Sequence, residues 1–301
     1  MKRTMIREAL AMLLSISTSC ATAATLSWEQ PSDHCQILDT LSEPVYHVSL
    51  GYVPESRFEG YGKSALLELE GDWMLAYLTD VARGDIDFNF RVRSTLFLDS
   101  AELQLPDQVA KIAIDAGWIW RYQNGMAIQF RAVPGIYSDL EEIDTDIFFV
   151  PFSCSLIRTF NRQLSGIVGA ELRPGFEREI MPIIGLEWEI NDALRLEARL
   201  PESRFIYFVS PNWTTYLGFD WQNTSFRLSE SESYDRDLVT IEDFRTCWGL
   251  THWISDQLHL TGEVGHVFDR NIEFKGSADG PDSEIDIESG MFVRFGLGGP
   301  F

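Results

Sequence analysis

From about Val45 onward, apolar and polar residues alternate with a period of two almost throughout. In an extended strand, successive side chains point to opposite faces. Ile86, Phe88, Phe90, Val92, Leu96 and Leu98 therefore share one face, and Asp85, Asp87, Asn89, Arg91, Arg93 and Thr95 the other. The preceding segment sets Leu67, Leu69, Trp73, Leu75 and Tyr77 against Glu68, Glu70, Asp72 and Met74. A hairpin closed near Val81 and Ala82 puts Asp72 opposite Arg91 and Glu70 opposite Arg93, so opposite charges meet on the polar face. A soluble sandwich would turn the same apolar face into its core. Alternation alone does not separate the two.

The turns narrow the choice. Tyr122-[Gln123-Asn124-Gly125]-Met126 joins two strands whose apolar faces align only across a three-residue loop, with Gly125 at the left-handed site of a type I turn and G1 bulge. The spacing recurs at Phe160-[Asn161-Arg162-Gln163]-Leu164, Ile190-[Asn191-Asp192-Ala193]-Leu194, Val209-[Ser210-Pro211-Asn212]-Trp213 and Ile254-[Ser255-Asp256-Gln257]-Leu258. The intervening connections are mostly longer and acidic: Pro134 to Thr145, Glu230 to Leu238 and Lys275 to Glu288. Short turns at one end and long loops at the other are the asymmetry of membrane barrels, with the short turns facing the periplasm.

Strands are predicted on that basis near 45–53, 65–78, 84–98, 111–122, 126–134, 146–160, 164–173, 180–190, 194–200, 203–209, 213–229, 239–254, 258–274 and 289–301. The weak point is Leu200-Pro201-Glu202-Ser203, flanked by strands of about seven residues where a spanning strand needs ~9–11. The outward parity also flips there, from Leu196 and Leu200 to Phe205 and Tyr207. A tight turn and a proline bulge within one strand both fit. The fold class is all-β, a transmembrane antiparallel up-and-down barrel of about 12–14 strands.

Both ends of the chain bear on this reading. The last segment places Met291, Val293, Phe295, Leu297 and Phe301 on one face and Phe292, Arg294 and Gly296 on the other, like the closing strand of bacterial outer-membrane barrels. In that group the terminal aromatic is implied to be read by the barrel-insertion machinery. On the ending alone, an ordinary edge strand competes with this reading. At the other end, Lys2, Arg3 and Arg7 precede the apolar run Ala9 to Leu14 and an Ala21-Thr22-Ala23 cleavage pattern, predicting a signal peptide over residues 1–23. Cys20 raises lipidation as an alternative, but Ser17-Thr18-Ser19 lacks the Leu usual three positions upstream. Residues 24–44 lack alternation and form a predicted periplasmic lead-in, leaving 45–301 as the barrel.

Composition excludes several classes. Cleavage leaves 21 basic against 45 acidic side chains, a net charge of −24 that repels nucleic acid. No mature segment approaches the ~18 consecutive apolar residues of a membrane helix, so a spanning chain must be a closed barrel with its backbone groups paired. The 9 Trp, 9 Tyr and 20 Phe suit interfacial girdles. Cys35, Cys154 and Cys247 are too few and too widely spaced for a disulfide framework or metal site.

Four stretches carry a family resemblance: Pro182-Ile183-Ile184-Gly185-Leu186-Glu187-Trp188, Leu194 to Pro201, Glu263-Val264-Gly265-His266-Val267-Phe268-Asp269-Arg270 and Ser289 to Gly296. Together they resemble a bacterial family catalogued as a domain of unknown function and grouped with outer-membrane β-barrels, over roughly residues 110 to 301. The resemblance implies a barrel in the outer membrane and no substrate. An aromatic usual in the family is replaced by His266, and Pro300-Phe301 extends beyond its last strand.

Candidate chemistry is thin. His252 and His266 fall on the outward parity, and His259 faces inward beside Thr261 and Glu263. A His–Glu pair could be a base with its orienter, but no convergent Ser accompanies it. Asp269 and Arg270 occupy opposite faces, and Arg270 is expected to snorkel at the outer rim. The acidic runs Glu141 to Asp146, Glu230 to Asp235 and Asp279 to Glu284 lack calcium-loop spacing. No catalytic site, cofactor or metal is expected. The lumen-facing candidates are Asp72, Arg91, Arg93, Asp115, Arg121, Arg131, Glu187, Glu189, Arg195, Glu263 and Arg294. Expected partners are outer-membrane lipid, the insertion machinery and small solutes or ions, with no nucleic acid. The leading expectation is a non-enzymatic outer-membrane barrel acting as a narrow passive pore. The alternatives are a plugged barrel displaying acidic loops and, further off, a lipid hydrolase dependent on His259.

Overall fold

The structure, a computed structural model, describes residues 45–59, 62–98, 106–141, 145–229, 236–276 and 283–300. The predicted signal peptide, the lead-in, Phe301 and most of the acidic runs lie outside these residues. The first strand segments are β1 (Val45–Phe58), β2 (Gly62–Val81), β3 (Gly84–Phe97), β4 (Gln108–Arg121), β5 (Met126–Ala132), β6 (Gly135–Ser138), β7 (Phe148–Phe149), β8 (Phe152–Asn161) and β9 (Leu164–Leu172). They continue as β10 (Ile180–Asn191), β11 (Leu194–Leu200), β12 (Glu202–Ser210), β13 (Trp213–Arg227), β14 (Arg236–Ser255), β15 (Leu258–Gly276), β16 (Ser283–Ile287) and β17 (Gly290–Pro300).

Among the described residues these segments make a closed antiparallel barrel of fourteen staves, because three staves are interrupted. β5 and β6 both pair with β4, and β7 and β8 pair with β6 and β5. Pro134 and Pro151 stand at these breaks, where no amide hydrogen is available for the ladder. Their carbonyls still accept from Ile114 (3.0 Å) and Val133 (2.8 Å). β16 and β17 together form the last stave against β15. β17 then closes the barrel on β1, from Val45↔Pro300 to Tyr52↔Val293.

Leu200-Pro201 is the tight turn. β11 and β12 are antiparallel neighbours with Ala198 opposite Ser203. The Ser203 hydroxyl accepts from the Arg199 amide (3.1 Å) and donates to the Arg199 carbonyl (2.8 Å), closing the turn through a side chain. The strand count is therefore fourteen.

The short-turn end is regular. Gly125 has φ 68° and Asn124 φ 65°, so two residues of that loop are left-handed. In the other four hairpins, the first bracketed residue belongs to the strand and a register shift just before it leaves a two-residue turn. Asn161, Asn191 and Ser255 cap three of these turns, accepting from the amide two residues on at 2.8, 2.9 and 3.3 Å. A sixth short turn, Ala82-Arg83, uses positive φ at both residues, as a hairpin turn of this length favours.

Two bulges shift parity away from the sequence expectation. A register shift between Met74 and Ala76 turns Tyr77 inward, where its hydroxyl donates to Asp85 at 2.7 Å. Asp269, at φ 49°, does the same on β15. Arg270 is consequently buried instead of snorkelling at the rim. An extra residue in one strand exchanges the two faces beyond it.

The outer face exposes Val168, Ile184, Leu186, Leu217, Val264 and Phe295, the last at 68%. An aliphatic surface wrapped around a sheet without free edges is solvated by lipid. The chain is a transmembrane β-barrel. Near the short turns, Trp118 stacks on Trp120 at 6.0 Å, Tyr122 is tilted against Trp120 at 4.5 Å, and Trp213 stacks on His252 at 4.0 Å, as in an interfacial girdle.

Candidate functional site

The interior divides by height and by side. At the long-loop end the inward row becomes apolar: Val53, Phe58, Leu66, Phe97, Val109, Tyr137, Phe226, Val239, Val267, Ile272, Phe274, Ile285 and Phe292 form one buried cluster. Ser138 at the tip of β6 meets Arg227 at the tip of β13 in a parallel bridge across the barrel. Asp139 holds that contact, accepting from the Ser229 amide and hydroxyl, each at 2.8 Å. The upper strands thus close on themselves around a dry core, leaving β8–β12 as a separate, lower wall.

Below this core the inner face is charged. On β2–β5, Arg93 pairs with Glu70, Arg91 with Asp72 (3.2 Å) and Asp115 (2.9 Å), Arg131 with Asp115 (2.6 Å) and Asp87 (3.1 Å), and Arg121 with Asp85 (2.5 Å). The register sets Glu70 opposite Arg93 and Asp72 opposite Arg91. On the β14–β15–β17–β2 side, Arg245 is the hub. It makes two bonds of 2.6 Å to Glu68 and bonds of 2.8 and 2.7 Å to Asp243. Arg294 lies beside it, 3.3 Å from Glu263 and 3.5 Å from Glu68. Tyr216 donates to Glu263, its ring lying over Gly249 where a Cβ would come within 2.1 Å of it. Both Glu263 oxygens are thereby engaged, and His259 packs on Trp253 at 4.6 Å with its Nδ1 unbonded. The structure does not join His259 and Glu263 as base and orienter.

The low wall differs. Glu189 and Glu197 share Arg195 at 2.7 and 3.7 Å, Glu187 lies 3.8 Å from Arg199, and Glu202 2.6 Å from Arg204. Side chains here keep much of their exposure: 44% for Arg199, 46% for Glu202 and 44% for Arg204. At the hub the values are 4% for Arg245, 7% for Glu68 and 2% for Asp243. The Arg245 hub is therefore sealed, while the low wall, at 22–46%, and the Arg91–Asp72 pair, at 37% and 44%, keep part of their exposure.

The connection over residues 173–179, the roof, clasps the outward-parity row Trp221, Asn223, Ser225 and Glu242 of β13 and β14, while Phe176 reaches the inward Tyr137 and Phe149. It leaves β9 and fastens to β13, β14 and β15. Arg173 donates to the Asn223 carbonyl (2.6 Å) and side chain (3.1 Å), the Glu177 amide to Ser225 (3.2 Å), and Lys275 to Glu177 (2.9 Å). Arg178 pairs with Glu242 at 3.2 Å and lies over Trp221. Phe176 completes an edge-to-face trio with Tyr137 and Phe149, at 5.3 and 5.1 Å.

A family model described as Domain of unknown function (DUF6268) matches residues 99–278. The chain belongs to that family. Within this member, the DUF6268 match takes in β4 to β15, and with them the low wall, the roof and the β6–β13 bridge. β1–β3 and the closing strand, including Ser289 to Gly296, lie outside it. No curated protein matches the sequence.

Among solved structures, the chain is similar to the COG4313 outer membrane channel from Pseudomonas putida F1, with a TM-score of 0.43, 9% identity, and 91% and 100% of the two chains covered. It is similar to the NanC porin at 0.39, with 10% identity and coverage of 85% and 100%. For the P. putida toluene transporter TodX the values are 0.38, 7%, and 90% and 93%. Likeness at this level leaves function to be read from the barrel's own geometry.

Arg245 and Asp243 are absent from the sequence candidates, although Asp243-x-Arg245 at alternate positions marks one face of a strand. Arg173 carries no such signal, because its partner Asn223 is 50 residues away.

Proposed function

We propose that this DUF6268 barrel is a narrow passive channel and not an enzyme. Small solutes or ions cross along the inner face of β8–β12. The observation that carries this is the exposure contrast within the lumen: charges on the low wall stay hydrated, whereas those at the Arg245 hub are sealed. Water-lined polar walls are what a barrel offers to permeant solutes.

The apolar core and the β6–β13 bridge favour a second reading, a barrel plugged at its outer end that displays its loops. Planar-bilayer recording of the purified, heat-modifiable protein separates the two. Discrete ohmic steps of small conductance are expected. Arg173→Ala, which unfastens the roof while leaving the low wall intact, is expected to lengthen openings or enlarge the steps. A folded sample that yields no steps, with or without that substitution, supports the plugged barrel instead.

A further inference from the structure

We infer that the route along the low wall selects small cations over anions. This rests on the channel reading above and adds the class of permeant. Six carboxylates stand on the inner face of β9–β13: Glu171, Glu187, Glu189, Glu197, Glu202 and Asp220. Only Arg195, Arg199 and Arg204 accompany them on that face of those strands. Their inward placement follows from register. Glu171 faces buried Met181 across the β9–β10 ladder, Glu197 faces Arg204, and Asp220 faces both Glu202 and Arg245.

The three arginines are each held by a carboxylate of the same wall within 2.6 to 3.8 Å. Glu171 and Asp220 have no cation within 4 Å among the described residues, although Gln222 donates to Asp220 at 2.6 Å. Across the lumen Arg93 acts on Asp220, and Lys111 and Arg173 act on Glu171, but Arg93 is itself paired with Glu70. Arg245, the register partner of Asp220, turns its guanidinium to Glu68 and Asp243, and Arg294 is directed to Glu263 and Glu68. A hydrated path bordered by surplus fixed negative charge raises the local concentration of cations and lowers that of anions.

The reversal potential across a bilayer bearing a tenfold KCl gradient tests this. The wild-type channel is expected to reverse on the potassium side of zero. Glu171→Gln combined with Asp220→Asn should lower the potassium-to-chloride permeability ratio by about fivefold per charge removed, as for a unit charge about 8 Å away acting with opposite sign on the two ions in a water-like dielectric. Heat-modifiable gel mobility verifies that the variant is folded, and Asp220→Asn alone should give the intermediate ratio. A wild-type ratio at or below one, or a ratio unchanged in the folded double variant, overturns cation selection while leaving the channel in place. Absence of conductance in folded wild-type protein overturns the channel reading, and this inference with it.

Discussion

Arg245→Leu is expected to destabilise the folded barrel by about 3–5 kcal/mol, the usual consequence of removing one partner from a buried ion pair. Arg245 makes four charge-assisted bonds to Glu68 and Asp243, and all three side chains are almost fully sealed from water. Without the guanidinium, two carboxylates remain buried together, with Arg294 3.5 Å from Glu68 and the buried Arg270 acting on Asp243. Because desolvation opposes the Coulomb attraction, the intact cluster is not itself a large source of stability. Replacing all three by apolar residues of similar volume should therefore restore most of the loss. Reversible unfolding in denaturant from lipid vesicles measures both variants. If Arg245→Leu is as stable as wild type, the cluster is hydrated and the sealed hub does not exist as described.

Phe295→Arg should cost about 2–4 kcal/mol in the same assay, the penalty for a cation on the lipid face near the bilayer midplane. Phe295 is among the most exposed large apolar side chains of the wall and sits mid-strand on β17, between Leu50 and Gly262. The adjoining Arg294 is charged already and is compensated by Glu263 and Glu68. Two neighbours on one strand thus have opposite tolerance for charge, and strand parity alone sets the difference. A Phe295→Arg barrel of wild-type stability in lipid, with unchanged stability in detergent, would mean that this face is not against hydrocarbon.

Much of the barrel is legible in the sequence because each of its rules is local. The alternation of β3, the pairing of Glu70 with Arg93 and the capped turns at Asn161, Asn191 and Ser255 all follow from period two and turn chemistry over a few residues. Tyr77 and Arg270 are misplaced because a bulge adds one residue without a mark in composition. Met74 to Ala76 reads as ordinary strand, and Asp269 carries its positive φ with no glycine to announce it. The closed outer end is harder, since the β6–β13 bridge joins strands that are far apart in the chain. Its trace is the change along the inner row of β15 from Glu263 to Val267, Ile272 and Phe274, which becomes meaningful only when the same change in β1, β4 and β14 is brought beside it. The roof depends on Arg173 reaching Asn223, and nothing around either residue records that contact.

Thiol-reagent block of single channels tests the account most directly. In a background with Cys35, Cys154 and Cys247 replaced by Ser, one cysteine is placed at Glu197 on the low wall or at Ser49, which is buried on the β1 side. A charged methanethiosulfonate reagent is expected to reduce the conductance of the Glu197→Cys channel in discrete steps and to leave the Ser49→Cys channel unchanged. Block at Ser49→Cys with none at Glu197→Cys would place the aqueous route on the wrong side of the lumen, and folded protein without any conductance would contradict the channel itself.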